Sequence, residues 1–241
     1  MINIIVNGAK GRLGQVACQA LKASADFNLV AELGRQDNLA ATIKLKQAAI
    51  VVDTTLKECV YHNTKAIIEA GVRPVIGTSG LTIAQITDLQ QLCKEKKLGG
   101  IIAPNFALGA VLMMRFAKQA AHYFNFAEII ELHHEKKQDA PSGTALKTAE
   151  LINSIRTNES TACQETLPGA LGAKHQHVAI HSIRLPGLIA HQEVIFGNLG
   201  ETLTIRHDTT DRSCFAAGII LACRKVLALD QLIYGLENII E

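Results

Sequence analysis

The run ELHHEKKQDAPSGTA, residues 131–145, packs two histidines and two lysines into five positions and follows them with a Pro-Ser-Gly-Thr turn. Three chemistries use such residues: a metal centre, an anion site and acid–base catalysis. Spacing disfavours the metal. His133 and His134 are adjacent, and neighbours on an extended chain point to opposite faces. No HExxH motif and no nearby cysteine completes a ligand set. His175 and His177, at i and i+2, would share one strand face, but no third ligand accompanies them. We therefore expect no metal. For acid–base work, His133 closes a strand-like segment and enters a loop, where an imidazole can hold and deliver a proton near neutral pH. Lys136 and Lys137 add fixed positive charge that attracts an acidic substrate. Ser142, Gly143 and Thr144 open the next helix, where free N–H groups and hydroxyls form an anion site. A charged loop followed by an ordinary capped helix explains the same residues, and local sequence leaves both readings open.

A second pattern lies at the start of the chain. Gly8-Ala9-Lys10-Gly11-Arg12-Leu13-Gly14 follows a strand-like run and opens a helical one. In that context glycines permit a tight turn and let a pyrophosphate approach the backbone and the helix N-terminus. The spacing is GxxGxxG, because Lys10 stands where the strict fingerprint has its second glycine, so a turn that merely packs a helix on a sheet also fits. At the end of the second strand, Ala31-Glu32-Leu33-Gly34-Arg35-Gln36 offers Arg35 rather than a terminal acid to a ribose. A guanidinium suits a 2′-phosphate, so NADPH is the expected cofactor, with NADH possible. Two further turns, Gly77-Thr78-Ser79-Gly80 and Ala103-Pro104-Asn105-Phe106, stand at the carboxyl ends of strands, where ligands of open α/β sheets collect.

These residues need a scaffold. Short apolar runs at 2–6, 28–33, 49–53, 72–76 and 100–103 alternate with helical patterns at 11–23, 58–70 and 83–96, the last opened by a Thr82–Gln85 capping box. That alternation predicts a parallel sheet with helices on both faces. Beyond residue 107 the rhythm changes. It reads helix (108–123), strand (128–133), helix (144–155) and a polar loop (158–172), then three β segments from His175 to Asp208 and a helix over 213–229. The expected fold is α/β: a Rossmann-like dinucleotide domain, residues 1–107 completed by 214–241, and a second α+β domain with a mixed sheet, residues 108–213. The chain has 241 residues, 48% of them hydrophobic, which excludes disorder. A net charge of +2 and 4% aromatics give no footprint for nucleic acid or a membrane surface. Six cysteines without a CxxC pair read as reduced, mostly buried thiols of a cytoplasmic protein. The N-terminal run already resembles a strand rather than a secretory signal.

The long stretch resembles the signature E-x-H-H-x-x-K-x-D-A-P-S-G-T-A of the bacterial 4-hydroxy-tetrahydrodipicolinate (dihydrodipicolinate) reductases of the diaminopimelate route to lysine. Its fixed positions fall on Glu131, His133, His134, Lys137, Asp139 and Ala140 through Ala145. GAKGRLG, IGTSG, APNF and LPGLIAHQEVIFGNLGETLTIRHD extend the likeness over nearly the whole chain. The resemblance implies a reductase in which NAD(P)H delivers hydride to a cyclic unsaturated dicarboxylate. It implies His133 as proton donor, Lys137 as second donor or carboxylate partner, and His134, Ser142, Gly143 and Thr144 as carboxylate binders. It implies a dinucleotide site made of Gly8, Ala9, Lys10, Gly11, Arg12, Leu13, Arg35, Gly77, Thr78, Ser79, Ala103, Pro104, Asn105 and Phe106. It also implies a homotetramer built through the second domain's sheet. Two positions depart from the pattern. Asp53-Thr54-Thr55 stands where members usually read Asp-Phe-Ser or Asp-Phe-Thr, which alters the contacts of that turn, and Gly34 stands where some carry an acid. Residues alone keep two rivals open: another Rossmann oxidoreductase of aspartate or homoserine dehydrogenase type, and a non-enzymatic NAD(P)H sensor.

Overall fold

The computed structural model describes residues 1–155 and 163–240. These form two compact units, Met1–Leu108 with Arg212–Glu241, and Gly109–Asp211. In the first, β1 (Ile2–Asn7), α1 (Arg12–Ala23), β2 (Phe27–Leu33), α2 (Leu39–Lys46), β3 (Ile50–Asp53), α3 (Val60–Glu69), β4 (Arg73–Ile76), α4 (Ile83–Lys96) and β5 (Gly100–Ile102) alternate as expected. The helix α2 was not expected. Its signal is local: the Asn38 side chain accepts from the Ala41 N–H at 3.0 Å and caps the first turn. At α4 the Thr82–Gln85 capping box forms in both directions.

The chain continues into the second unit through α5 (Leu108–Ala120), β6 (Phe126–His133), α6 (Gly143–Asn153), β7 (Ala173–His175), β8 (Val178–Arg184), β9 (Ala190–Asn198) and β10 (Glu201–Thr209). The five strands run in the order β10-β9-β6-β8-β7, with β6 parallel to β8 and the other pairs antiparallel. Strand β7 falls between the expected loop, which ended at 172, and the β pattern expected from His175. It turns at Gln176, in the left-handed region at φ 54°, and pairs back on β8. His175 and His177 therefore flank a hairpin turn and do not share a strand face, which removes the geometry that made them candidate chelators. The expected loop at 158–172 falls partly on residues 158–162, outside the described residues; the remainder holds no helix or strand and turns at 168–171. Within this unit α6 covers the sheet face that carries Ile129, Glu131, Val194 and Phe196, all fully buried. On the opposite face Ile130, Leu132, Ile183 and Ile195 are only partly buried.

The chain then returns to the first unit as α7 (Phe215–Lys225), flanked by short 3-10 turns, and β11 (Leu232–Tyr234). The six-stranded sheet has the order β11-β5-β4-β3-β1-β2, and every pair in it is parallel. Strand β11 was missed in the sequence because three apolar residues carry no readable period. On one face Ile5, Val51, Ile76 and Ile102 join residues of α2, α3 and α4 in one core. Alternation sends Ile4 and Val6 to the other face, which α1 and α7 cover. A parallel sheet buried on both sides explains why its strands read as continuous apolar runs. Each fully buried Ile or Val contributes roughly 1.5–3 kcal/mol. The α/β class and the pairing of a parallel with a mixed sheet match the expectation. Among the cysteines, Cys18, Cys93 and Cys223 are buried, Cys59 and Cys214 are partly exposed and Cys163 is exposed; all six are reduced thiols. That is fewer buried than expected.

Candidate active site

The glycine turn joins β1 to α1. Gly8 has φ 86°, and a Cβ there would lie 2.7 Å from the Thr54 carbonyl oxygen. A Cβ on Gly14 would lie 2.2 Å from the Gly8 carbonyl oxygen. Both positions therefore require glycine, the first for its left-handed backbone and the second for close packing. The N–H groups of Gly8 and Ala9 are spent on the Leu33 carbonyl, at 2.9 and 3.0 Å, which ties the turn to the end of β2. The Gly11 N–H donates to the Gly8 carbonyl at 3.0 Å. Gly11 gives α1 no side-chain cap, so among the described residues the N–H groups of Arg12 and Leu13 have no protein acceptor. Unpaired amides at a helix N-terminus, over a floor that admits no side chain, fit the pyrophosphate of a dinucleotide.

Beside this turn lies a cleft of about 450 Å³ lined by Leu13, Thr54, Thr55, Lys57, Gly77 and Thr78, among others. A Cβ on Gly77 would meet Phe106 at 2.7 Å and Leu13 at 2.9 Å, so three of the expected cofactor segments converge here. Ala103 and Phe106 are buried, and the Asn105 side chain accepts from the Ala107 N–H at 2.9 Å, which shapes that turn. Arg35 is exposed at the tip of β2. The neighbouring Gly34 N–H donates to Asp37 Oδ2 at 2.7 Å, and the Lys10 stem passes 3.7 Å from where a Gly34 Cβ would be.

Beneath the cleft sits fully buried Asp53. Its Oδ1 accepts from the Thr55 N–H (3.1 Å), the Thr55 hydroxyl (2.7 Å) and the Thr78 hydroxyl (3.2 Å). Its Oδ2 accepts from the Asn7 and Asn63 amides at 2.8 and 3.0 Å. One carboxylate thus joins the ends of β1, β3 and β4 to α3. Thr54 takes a separate part: its hydroxyl lies 3.2 Å from the Asn7 carbonyl oxygen and 3.3 Å from that of Gly8, bracing the glycine turn. A hydroxyl does here what an aromatic side chain could not.

In the second unit the histidine–lysine stretch leaves β6. Glu131 and His133 are two positions apart and so share a sheet face. The His133 Nδ1 lies 2.5 Å from Glu131 Oε2, an arrangement that assigns the proton to Nδ1 and leaves proton exchange to Nε2. Arg184, paired in register with His133, grips Glu131 with both arms: Nη1 donates to Oε2 at 2.9 Å and Nη2 to Oε1 at 2.7 Å. Burial pushes the Glu131 carboxyl up, but hydrogen bonds from His133, Arg184 and Ser182 outweigh it and hold the pKa at about 2. The Ser142 N–H also donates to Glu131, at 3.2 Å, and the Ser142 hydroxyl accepts from the Ala145 N–H at 3.2 Å. Among the described residues the N–H groups of Gly143 and Thr144 are left without a protein acceptor, at the positive end of α6. His134 is half-buried and its carbonyl accepts from the Lys137 N–H at 3.1 Å. Lys137 Nζ is held by both oxygens of Asp139, at 2.8 and 2.9 Å.

Residues 2–106 match the family described as dihydrodipicolinate reductase, N-terminus, and residues 109–240 match dihydrodipicolinate reductase, C-terminus. The chain belongs to the dihydrodipicolinate reductase family. It is 56% identical over 239 residues to a 4-hydroxy-tetrahydrodipicolinate reductase of Legionella pneumophila, covering 98% of each chain. It is 54% identical over 239 residues to one of Coxiella burnetii, covering 99% of each. The structure of a dipicolinate-bound dihydrodipicolinate reductase from Paenisporosarcina sp. TG-14 superposes with a TM-score of 0.95 at 40% identity over 100% of both chains. A probable dehydrogenase from Thermotoga maritima, at 12% identity, 99% and 92% coverage and a TM-score of 0.66, shares the fold alone. The chain is accordingly an oxidoreductase of the 4-hydroxy-tetrahydrodipicolinate reductase class, and NAD(P)H is the dinucleotide such a reductase uses. Sequence reasoning on this reductase missed three functional candidates: Asp53, Glu131 as a partner of His133, and Arg184. Glu131 was legible as the residue two before His133 on one strand. Arg184 was not, because Glu131 is distant in sequence, and neither was Asp53, whose partners Asn7 and Thr78 are distant too.

Proposed function

We propose that this reductase adds one hydride and one proton across an unsaturated bond of the ring derived from 4-hydroxy-tetrahydrodipicolinate, giving tetrahydrodipicolinate in the diaminopimelate route. Bound NAD(P)H supplies the hydride. His133 holds the balancing proton at Nε2 while Glu131 fixes its Nδ1–H, so the imidazole delivers from one atom only. The free N–H groups of Gly143 and Thr144, with the Thr144 hydroxyl and His134, bind one substrate carboxylate. Lys137 exchanges Asp139 for the other. The reading rests above all on the Glu131–His133 pair standing next to a helix N-terminus with unpaired amides. The dipicolinate found in the Paenisporosarcina relative, a ring with two carboxylates, agrees with it.

The first unit, Met1–Leu108 with the returning C-terminal segment, serves as the dinucleotide domain and the second as the substrate and assembly domain. Arg12 and Leu13 amides hold the pyrophosphate, with Gly77, Thr78 and Ser79 lining the cleft and the turn Ala103, Pro104, Asn105 and Phe106 brought to it through Phe106 against Gly77. NADPH is preferred: Arg35 and Lys10 present two cations at the tip of β2, and Gly34 offers no carboxylate of its own. The uncovered face of the second sheet, with Ile130, Leu132, Ile183 and Ile195, is the surface through which four copies assemble in the cytoplasm. No helix of the described residues is long and apolar enough to cross a membrane.

The deciding experiment follows NADPH oxidation by purified protein, with the product of dihydrodipicolinate synthase as substrate. Absence of turnover overturns the assignment. Comparing the Michaelis constants for NADPH and NADH, with and without Arg35→Ala, decides the cofactor. An unaltered preference for NADH in both proteins refutes the NADPH reading.

A further inference from the structure

Arg184 makes four hydrogen bonds with the two outer nitrogens of its guanidinium. Two go to the carboxylate of Glu131. A third runs from Nη1 to the Ile183 carbonyl at 2.8 Å, and a fourth from Nη2 to the Asp139 carbonyl at 2.7 Å. A planar fork is needed to satisfy this set, because the acceptors lie on a strand, on its neighbour and on the loop after it. Three of the four acceptors lead to different parts of the site. Glu131 Oε2 meets His133, Glu131 Oε1 meets the Ser142 N–H, and Asp139 holds Lys137 through its carboxylate.

We infer that Arg184 is a positioning residue that aligns the proton donor, the carboxylate-binding helix start and the lysine loop as one unit. Arg184 touches none of the reacting atoms in this role. It acts through Glu131, whose side chain is fully buried and, among the described residues, has no other cation except a protonated His133. Removing the guanidinium leaves that carboxylate with the hydrogen bonds of His133, Ser142 and Ser182, so it turns toward the donors that remain and no longer fixes the Nδ1–H form of His133. The Asp139 carbonyl is freed at the same time, and the Lys137–Asp139 segment loses its tie to the sheet. Lysine cannot replace the fork: one ammonium reaches a single carboxylate oxygen or one carbonyl, but not all four acceptors.

The inference rests on the reduction proposed above, and its test is built to fail separately. Arg184→Lys keeps the charge, and we expect it to lower kcat at least tenfold and raise the KM for the dicarboxylate. The dissociation constant for NADPH, read by its fluorescence, stays within twofold of wild type. Glu131→Gln is the second variant. If Arg184 acts through Glu131, the double variant loses little more kcat than Glu131→Gln alone. Nitrogen-15 NMR of histidine-labelled protein, without substrate, reads the tautomer directly: wild type shows His133 protonated at Nδ1, and Arg184→Lys shows a mixture. The inference is overturned by additive kcat losses in the double variant, or by an unchanged His133 tautomer in Arg184→Lys. A wild-type protein with no turnover but with the tautomer change would sink the reduction and leave the role of Arg184 standing.

Discussion

Replacing Asp53 by asparagine tests the carboxylate that joins three strand ends. The side chain keeps its volume, so only charge and hydrogen bonding change. Asparagine can present one oxygen and one NH2 group. The NH2 cannot take the Oδ1 place, because the Thr55 N–H there belongs to the backbone and cannot turn. It must take the Oδ2 place, against the amides of Asn7 and Asn63. Asn63 is held by a second bond to Thr55 Oγ1 at 3.1 Å, so Asn7 is the one that flips to accept. The Asn63 donor then opposes an NH2 and its bond to residue 53 is lost. The bonds that survive weaken from carboxylate to amide strength, from roughly 1.5–3 to 0.5–1.5 kcal/mol each. We expect a net loss of about 2–4 kcal/mol and a fall in melting temperature of about 5–15 °C. Thr78 shares the hub, so NADPH affinity falls with stability, while the KM for the dicarboxylate changes little. Thermal unfolding followed by circular dichroism and NADPH fluorescence titration measure both. A variant that melts within about 2 °C of wild type and binds NADPH equally well refutes the reasoning.

Gly14→Ala forces a methyl to within 2.2 Å of the Gly8 carbonyl oxygen, so we expect about 1–3 kcal/mol of destabilisation and weaker NADPH binding, checked by urea unfolding and fluorescence. His133→Ala should lower kcat by about a hundredfold or more with little change in NADPH affinity, and near-normal turnover would remove it as proton donor. Ser142→Ala removes the cap of α6, costing about 1 kcal/mol, and raises the KM for substrate more than it changes kcat. Glu131 adds an acid dependence: its pKa falls from 4.5 to about 2 on folding, so its stabilisation is complete above the ordinary carboxylate range and is lost as pH drops toward 2. Urea midpoints measured across that window should fall with pH in wild type and less steeply in Glu131→Gln.

Much of the scaffold was legible because it rests on local signals. The Thr82–Gln85 box, the apolar strand runs and the amphipathic helices depend on neighbours in sequence, and each formed. One helix, α2, escaped although its Asn38 cap is a local signal, and the strands that escaped are short. Strands β7 and β11, of three residues each, exist only through pairing with β8 and β5. The same division holds at the candidate site. The glycine turn and the start of α6 could be read from spacing, since a helix terminus creates its own donors. Arg184 is 53 positions from Glu131 and Thr78 is 25 from Asp53, and no periodicity links such pairs. The histidine–lysine stretch by itself left an ordinary charged loop equally open. It became specific through residues that lie outside it.

Strand β11 also sets an order of events during synthesis. Its partner β5 ends the first run of the parallel sheet, and Leu232 reaches Gly100 only after the entire second unit has been made. Until then β5 presents a row of unpaired backbone groups, the kind of edge on which chains aggregate. A ribosome working from the N-terminus therefore releases the first unit with its sheet unfinished, while the later-made second unit already has all of its strands. Loss of the last ten residues would injure the half of the protein that was made first.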